Sequence, residues 1–217
     1  RVSGYDRLPE TRLALELPPP TGNRDLELEE AVRDRLADAG LFECVTYSFS
    51  SPEAEGKLHP SGTASGDGFV ALVNPNSPER SVLRQTLLPG LLTVAAENLK
   101  NAASVALFEL GPVFVAKPGK QLPSEPRRLA FVLSGRKTEA AWDDPLGVDP
   151  PRYDFFDAKG IVEGLATDLH LPSVTFAAAT DVPHLHPGRA ARLLVNGTAI
   201  GSFGELHPKV ASAFKLA

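Results

Sequence analysis

The chain has 217 residues, with 22 Lys and Arg against 27 Asp and Glu, a formal net charge of −5. At 42% hydrophobic and 23% charged, with 18 Gly and 20 Pro, it is richer in turn formers than most soluble chains, yet its composition excludes collagen, a disordered tail and a coiled coil. The pI of about 5.6 argues against a domain that grips nucleic acid by itself, because such domains present a basic face.

Taken in chain order, residues 1–10 read as the end of an earlier element, with Gly4 as a helix stop and Pro9 preventing a restart. Residues 11–23 read as a linker, stiffened by Pro18-Pro19-Pro20. The core is expected to occupy 24–217. A helix is expected over 24–39, where Leu26, Ala31, Val32, Leu36 and Ala39 fall near one face. Its first turns are acidic, and Gly40 stops it. Val45, Tyr47 and Phe49 alternate with Thr46 and Ser48, the pattern of a half-buried strand.

Ser50, Pro52 and Glu53 predict a short capped helix. An exposed loop is expected over 59–68 and a buried strand over 69–73. A second long helix is expected over 87–100, capped by Thr86, with Pro89 in its first turn. Strands follow at 104–115 and 127–135, then a loop over 138–153 anchored by Trp142. A helix at 157–169, strands near 174–179, 190–195 and 199–205, and a short helix from Pro208 complete the list. Most connections are too short for parallel crossovers. The expected fold class is therefore α+β, an antiparallel or mixed sheet with helices packed on one side.

Few residues suggest catalysis. Cys44, the single cysteine, excludes an internal disulfide and a multi-cysteine zinc site, and fits a reducing, cytoplasmic setting. Within a strand pattern it reads as an inert thiol. His184 and His186 would share a strand face, and with His207 they suggest a metal hydrolase, but Pro183 and Pro187 bracket the pair. Loop histidines that hydrogen-bond the backbone are the simpler reading, and no metal is expected. Gly201 and Gly204 lack a following Lys-Ser or Lys-Thr, so they read as a bulge rather than a phosphate cradle. Arg127, Arg128, Arg136 and Lys137 read as a solvated strand edge. No run approaches the ~18 apolar residues of a membrane span, so no membrane is expected as a partner. The chain starts at Arg1, contains no Met and opens with no signal-peptide series; a piece of a longer polypeptide is expected.

The most informative polar segment is 74–84, which ends in Arg84 beside an apolar helix. Arg84 either clamps an anionic ligand or pairs with Glu109, whose charge interrupts the apolar run 105–108 and needs a partner if buried.

Several segments together resemble the β subunit of bacterial phenylalanine–tRNA ligase. They are Gly4-Tyr5-Asp6 with Pro9; Asn74-Pro75 through Leu83-Arg84; Leu87-Leu88-Pro89-Gly90-Leu91-Leu92; Leu107-Phe108-Glu109-Leu110-Gly111; Asp154-Phe155-Phe156-Asp157 with Lys159-Gly160; Leu185-His186-Pro187-Gly188-Arg189; and Gly204-Glu205-Leu206-His207-Pro208. The resemblance implies a fold like the class II synthetase catalytic domain, in a module that has lost catalysis. It implies residues 1–10 as the tail of a preceding small domain. It also implies partners: the α subunit, contacted through helix 24–39 or helix 87–100, and tRNA(Phe) in the full complex. ATP and Mg²⁺ serve the parent complex, with no cofactor expected in this piece. Class II adenylation holds its triphosphate with two arginines, whereas the corresponding strands here carry Glu109 and Glu205. Loss of those cations removes the electrostatic term that dominates such chemistry. An alternative is a regulatory module keeping a vestigial small-ligand pocket lined by Arg84, Glu109, His186, Arg189 and Glu205.

Overall fold

A computed structural model describes residues 21–62, 68–138 and 150–216, together with Arg7, Pro9, Glu10, Pro19 and Val148. Most of the expected tail and linker, the middle of the 59–68 loop, and Trp142 lie outside the described residues. The elements in order are α1 (Arg24–Asp38), β1 (Phe42–Glu43), β2 (Phe49–Ser50), α2 (Pro52–Gly56), β3 (Val70–Ala71), β4 (Val82–Leu83), α3 (Leu88–Asn98), β5 (Ser104–Pro112) and β6 (Arg127–Gly135). They continue with α4 (Phe155–Asp168), β7 (Val174–Ala178), β8 (Leu185–Val195), β9 (Thr198–Leu206) and α5 (Pro208–Ala213).

The strands form three small sheets, β1-β5-β6, β2-β4-β3 and β7-β8-β9. Only β1 with β5 is parallel; every other pair is antiparallel. The class is α+β, as expected. The placement of the helices is a correction. The β5–β6 ribbon is apolar on both faces, so it is covered on both. On one face Val105 and Val132 pack with Leu91, Leu92 and Ala95 of α3 and Val210 of α5. On the other, Phe108 packs with Val32 and Leu36 of α1, joined by Ile161 and Leu165 of α4.

Local chemistry explains most boundaries. Asn23 caps α1, its side chain accepting from the Leu26 N–H. Asp154 and Asp157 form a reciprocal capping box, which starts α4 at Phe155, two residues before the sequence pattern alone suggested. Ser51, not Ser50, caps α2. Leu87 occupies the cap position of α3, while Thr86 Oγ1 accepts the Leu88 N–H from one residue earlier. Asn196 and Gly197 have φ of 50° and 75°. They make the two-residue primed turn that joins β8 to β9, the geometry that an Asn-Gly pair favours. β5 ends at Pro112 before the expected 115, and the pairing continues through the Val113 N–H on Pro126 O (3.1 Å) and an isolated bridge between Val115 and Ser124.

Two strand expectations fail. The alternating stretch 45–49 is not a strand: pairing stops after Cys44 and resumes at Phe49. Val45 is 87% exposed and Tyr47 70% exposed, so the apolar set faces outward. The reason is that the backbone of Thr46 is engaged by side chains. Its N–H donates to Glu109 and its carbonyl accepts from Arg84. The expected buried strand at 69–73 shrinks to Val70–Ala71 on a sheet edge, with Val73 fully outside.

Candidate functional site

Arg84 follows β4 directly. Its backbone N–H donates to Ser48 O (2.9 Å) and its carbonyl accepts from the Phe114 N–H (2.9 Å), so the side chain leaves from a fixed base. The guanidinium is aimed into the protein. Its Nη1 lies 2.6 Å from Glu109 Oε1 and 3.0 Å from Thr46 Oγ1, and its Nε donates to Pro112 O at 3.0 Å. Thr46 Oγ1 in turn donates to Glu109 Oε2 at 2.7 Å. Arg84 is 5% exposed and Glu109 2%, which makes this a buried, hydrogen-bonded ion pair closed by a threonine. Two glycines make room for it. A Cβ on Gly111 would stand 2.7 Å from Arg84 Nη2, and one on Gly90 2.5 Å from Thr46 Oγ1.

A second buried carboxyl adjoins the pair. Glu55 on α2 accepts the Gln85 N–H (3.3 Å). Burial dominates its environment and pushes its pKa up to about 7, against hydrogen bonds from Gln85, Ser50 and Thr86 and the charge of Arg84. Sequence reasoning missed Glu55. The available signal was its place one helical turn before Leu58, which is buried.

A cleft of about 670 Å³ lies between β6 and β9. Its charged lining residues are Arg128, Asp154 and Glu205, with His184 beside them. Burial and the nearby His59 hold the His184 pKa below the ordinary imidazole value. Of the five residues expected to share a pocket, only Glu205 lines this cleft. Arg84 and Glu109 are spent on each other in the interior. Arg189 pairs with Glu205 at 2.7 Å on the surface of the β8–β9 hairpin. His186 Nδ1 accepts the Gly188 N–H at 3.1 Å within a bulge of β8.

His207 caps α5 through Nδ1, which accepts the Lys209 N–H. Among the described residues no group of three or more His, Cys, Asp and Glu is arranged to hold a metal. Burial first, then Glu109 and Glu43, push the Cys44 thiol up to about 11. It stays protonated near neutral pH, which disfavours nucleophilic use. Gly204 meets the backbone of Arg189 and Ala190 closely, at the end of that bulge.

The fold is shared with aminoacyl-tRNA synthetases. The structure of Desulfitobacterium hafniense PylSc, a pyrrolysyl tRNA synthetase, superposes with a TM-score of 0.67 over 88% of this chain and 62% of that one, at 16% identity. A second structure of pyrrolysyl-tRNA synthetase from the same organism gives 0.61 over the same shares.

Sequence similarity narrows the class. Residues 8–217 match the family model described as phenylalanyl tRNA synthetase beta chain CLM domain, and the chain belongs to that family. The phenylalanine–tRNA ligase beta subunit of Carboxydothermus hydrogenoformans is 37% identical over 99% of this chain, and that of Moorella thermoacetica 38% identical over all of it. In both cases the chain spans 26% of the relative's length.

Proposed function

We propose that this chain is the non-catalytic core module of a phenylalanine–tRNA ligase β subunit, with a class II catalytic-domain-like fold over residues 24–217. In this reading residues 1–10 are the tail of a preceding small domain and 11–23 a linker. The module supports assembly with the α subunit and helps to place tRNA(Phe) while the whole complex charges it with phenylalanine. ATP and Mg²⁺ act at the α subunit, and the complex works in the cytoplasm. No helix among the described residues is long and apolar enough to cross a membrane.

The charge of the cleft carries this reading. One arginine, Arg128, faces it together with two carboxylates, Asp154 and Glu205. Arg84 is turned inward onto Glu109. Arg128 alone is left to face a triphosphate there, short of the two arginines that class II adenylation uses, so the lining does not match that arrangement. The ligand-pocket alternative gains no support, because the Arg84–Glu109 pair is buried apart from the cleft, Arg189 is engaged by Glu205 on the surface, and only Glu205 of the five reaches the cleft.

Exposed apolar surface supports the assembly role. Phe42, Val45 and Tyr47 stand outward along the segment after α1, and Leu26 and Leu28 of α1 are half-exposed. By contrast, α3 spends Leu91, Leu92 and Ala95 on its own core, so α1 with the segment behind it is the better candidate for the α-subunit contact.

Co-expression with an α subunit tests both parts. The two chains are expected to co-purify, and Tyr47→Asp to weaken that association. The chain alone is expected to give no phenylalanine-dependent ATP–pyrophosphate exchange. Robust exchange without α, or no association with it, overturns the proposal.

A further inference from the structure

The segment that joins β1 to β2 is inside out. Exposure alternates along it, as side chains of a strand-like chain do. The polar set is turned in: Thr46 and Ser48 are half-buried and Ser50 is buried. The apolar set is turned out: Val45, Tyr47 and Phe49 are exposed. A shift by one residue would exchange the two sets, and the hydrophobic effect by itself favours that exchange.

Polar anchors from the interior oppose it. Glu109 accepts both the Thr46 N–H (3.2 Å) and the Thr46 hydroxyl (2.7 Å). Arg84 Nη1 donates to Thr46 Oγ1 at 3.0 Å and to the Thr46 carbonyl at 3.4 Å. One buried ion pair therefore engages the N–H, the C=O and the hydroxyl of a single residue. The Arg84 main-chain N–H holds Ser48 O as well, and Ser50 hydrogen-bonds Glu55. On the outer side, Arg80 lies over the Tyr47 ring, 4.4 Å from its centroid. Tyr and Arg are types enriched among the residues that dominate protein interfaces.

We propose that Arg84, Glu109 and Thr46 are positioning residues for assembly: they pin this segment so that Val45 and Tyr47 are held outward for the α subunit. The proposal rests on the reading of this face as the α-subunit contact. None of the three touches the partner. Each acts through the main chain at Thr46, so that docking does not have to order the segment. The charges are needed for this role and not for stability alone. Apolar side chains can replace a buried ion pair with little loss of stability, but they have no atoms with which to hold the Thr46 N–H, carbonyl and hydroxyl.

Stability and docking should therefore separate in the full-length subunit. The double variant Arg84→Met with Glu109→Leu is expected to unfold cooperatively at a midpoint close to that of the parent, yet to bind the α subunit at least ~10-fold more weakly. Its Thr46 amide should exchange at least ~100-fold faster than the parent's. Thr46→Val keeps the ion pair and the side-chain shape; it is expected to weaken α binding about 3-fold or more, and Thr46→Ser, which keeps the hydroxyl, to bind like the parent. A folded double variant with parental α binding overturns the proposal. So does rapid exchange of the Thr46 amide in the parent, or equal binding by Thr46→Val and Thr46→Ser. The docking reading is separated by Tyr47→Asp on the intact network. If Tyr47→Asp binds α like the parent, the assembly surface lies elsewhere and both ideas fall; if Tyr47→Asp is impaired while the double variant is not, the pin alone falls.

Discussion

Two ion pairs in this molecule have the same chemistry and nearly the same length but opposite surroundings. Arg84 and Glu109 meet at 2.6 Å with side chains 6% and 2% exposed; Arg189 and Glu205 meet at 2.7 Å with side chains 62% and 34% exposed. The buried pair is closed by Thr46 and by the carbonyl of Pro112, and among the described residues no buried side-chain nitrogen or oxygen lacks a hydrogen-bond partner. The surface pair competes with water and salt. Distance alone therefore says little about what an ion pair contributes. Desolvation decides it, because a buried charge that loses its partner has nowhere to go.

The largest effect is expected from Glu109→Leu, which leaves Arg84 buried and uncompensated. A loss of about 3–5 kcal/mol in urea unfolding is expected. The double variant Glu109→Leu with Arg84→Met should recover much of it, since it removes both charges. A double variant no more stable than the single one would break the contrast drawn between the pairs.

Next comes Glu55, the carboxyl beside the buried pair. Its folded pKa of about 7 stands above the ordinary 4.5. Below pH 4.5 it is protonated in both states. As pH rises from 4.5 to 7 the unfolded chain ionises first, so stability falls across that window and levels off above it. The fall is at most about 3 kcal/mol. Thermal unfolding between pH 5 and 8 should show this slope in the parent chain and a flatter one in Glu55→Gln.

A smaller loss, about 1–3 kcal/mol, is expected for Gly111→Ala, because the added Cβ would press on Arg84 Nη2. The same denaturation experiment reads it, and a neutral result would mean that the guanidinium has slack. Smallest of all, Arg189→Ala should change stability by less than about 1 kcal/mol, and that change should shrink further in high salt.

Part of the buried network was legible beforehand. Glu109 interrupts an apolar run and so demands a partner, and Arg84, in the polar cluster beside an apolar helix, was the candidate for that partner in one of its two readings. Thr46 was not legible. It lies 63 residues from Glu109, inside a stretch whose alternation imitates a strand. Glu55 was hidden among exposed-looking acids, because its burial depends on how α2 sits against the 85–86 backbone. Of the five residues proposed to share a pocket, Arg84 pairs with Glu109 in the interior, Arg189 pairs with Glu205 on the surface, and only Glu205 lines the cleft.

Read alone, the 217 residues determined the helices, most of the long strands, the family, and the need of Glu109 for a cation. Those features arise from interactions within a few positions, such as caps, Pro in a first turn and periodic apolar spacing, or from residues whose cost of burial is intrinsic. Only the tertiary structure decided that the sheets part between β6 and β9, that Val45 and Tyr47 face outward, and that helices cover both faces of β5 and β6. Edge pairing and dielectric surroundings are set by neighbours distant along the chain, and no local pattern encodes which neighbour arrives.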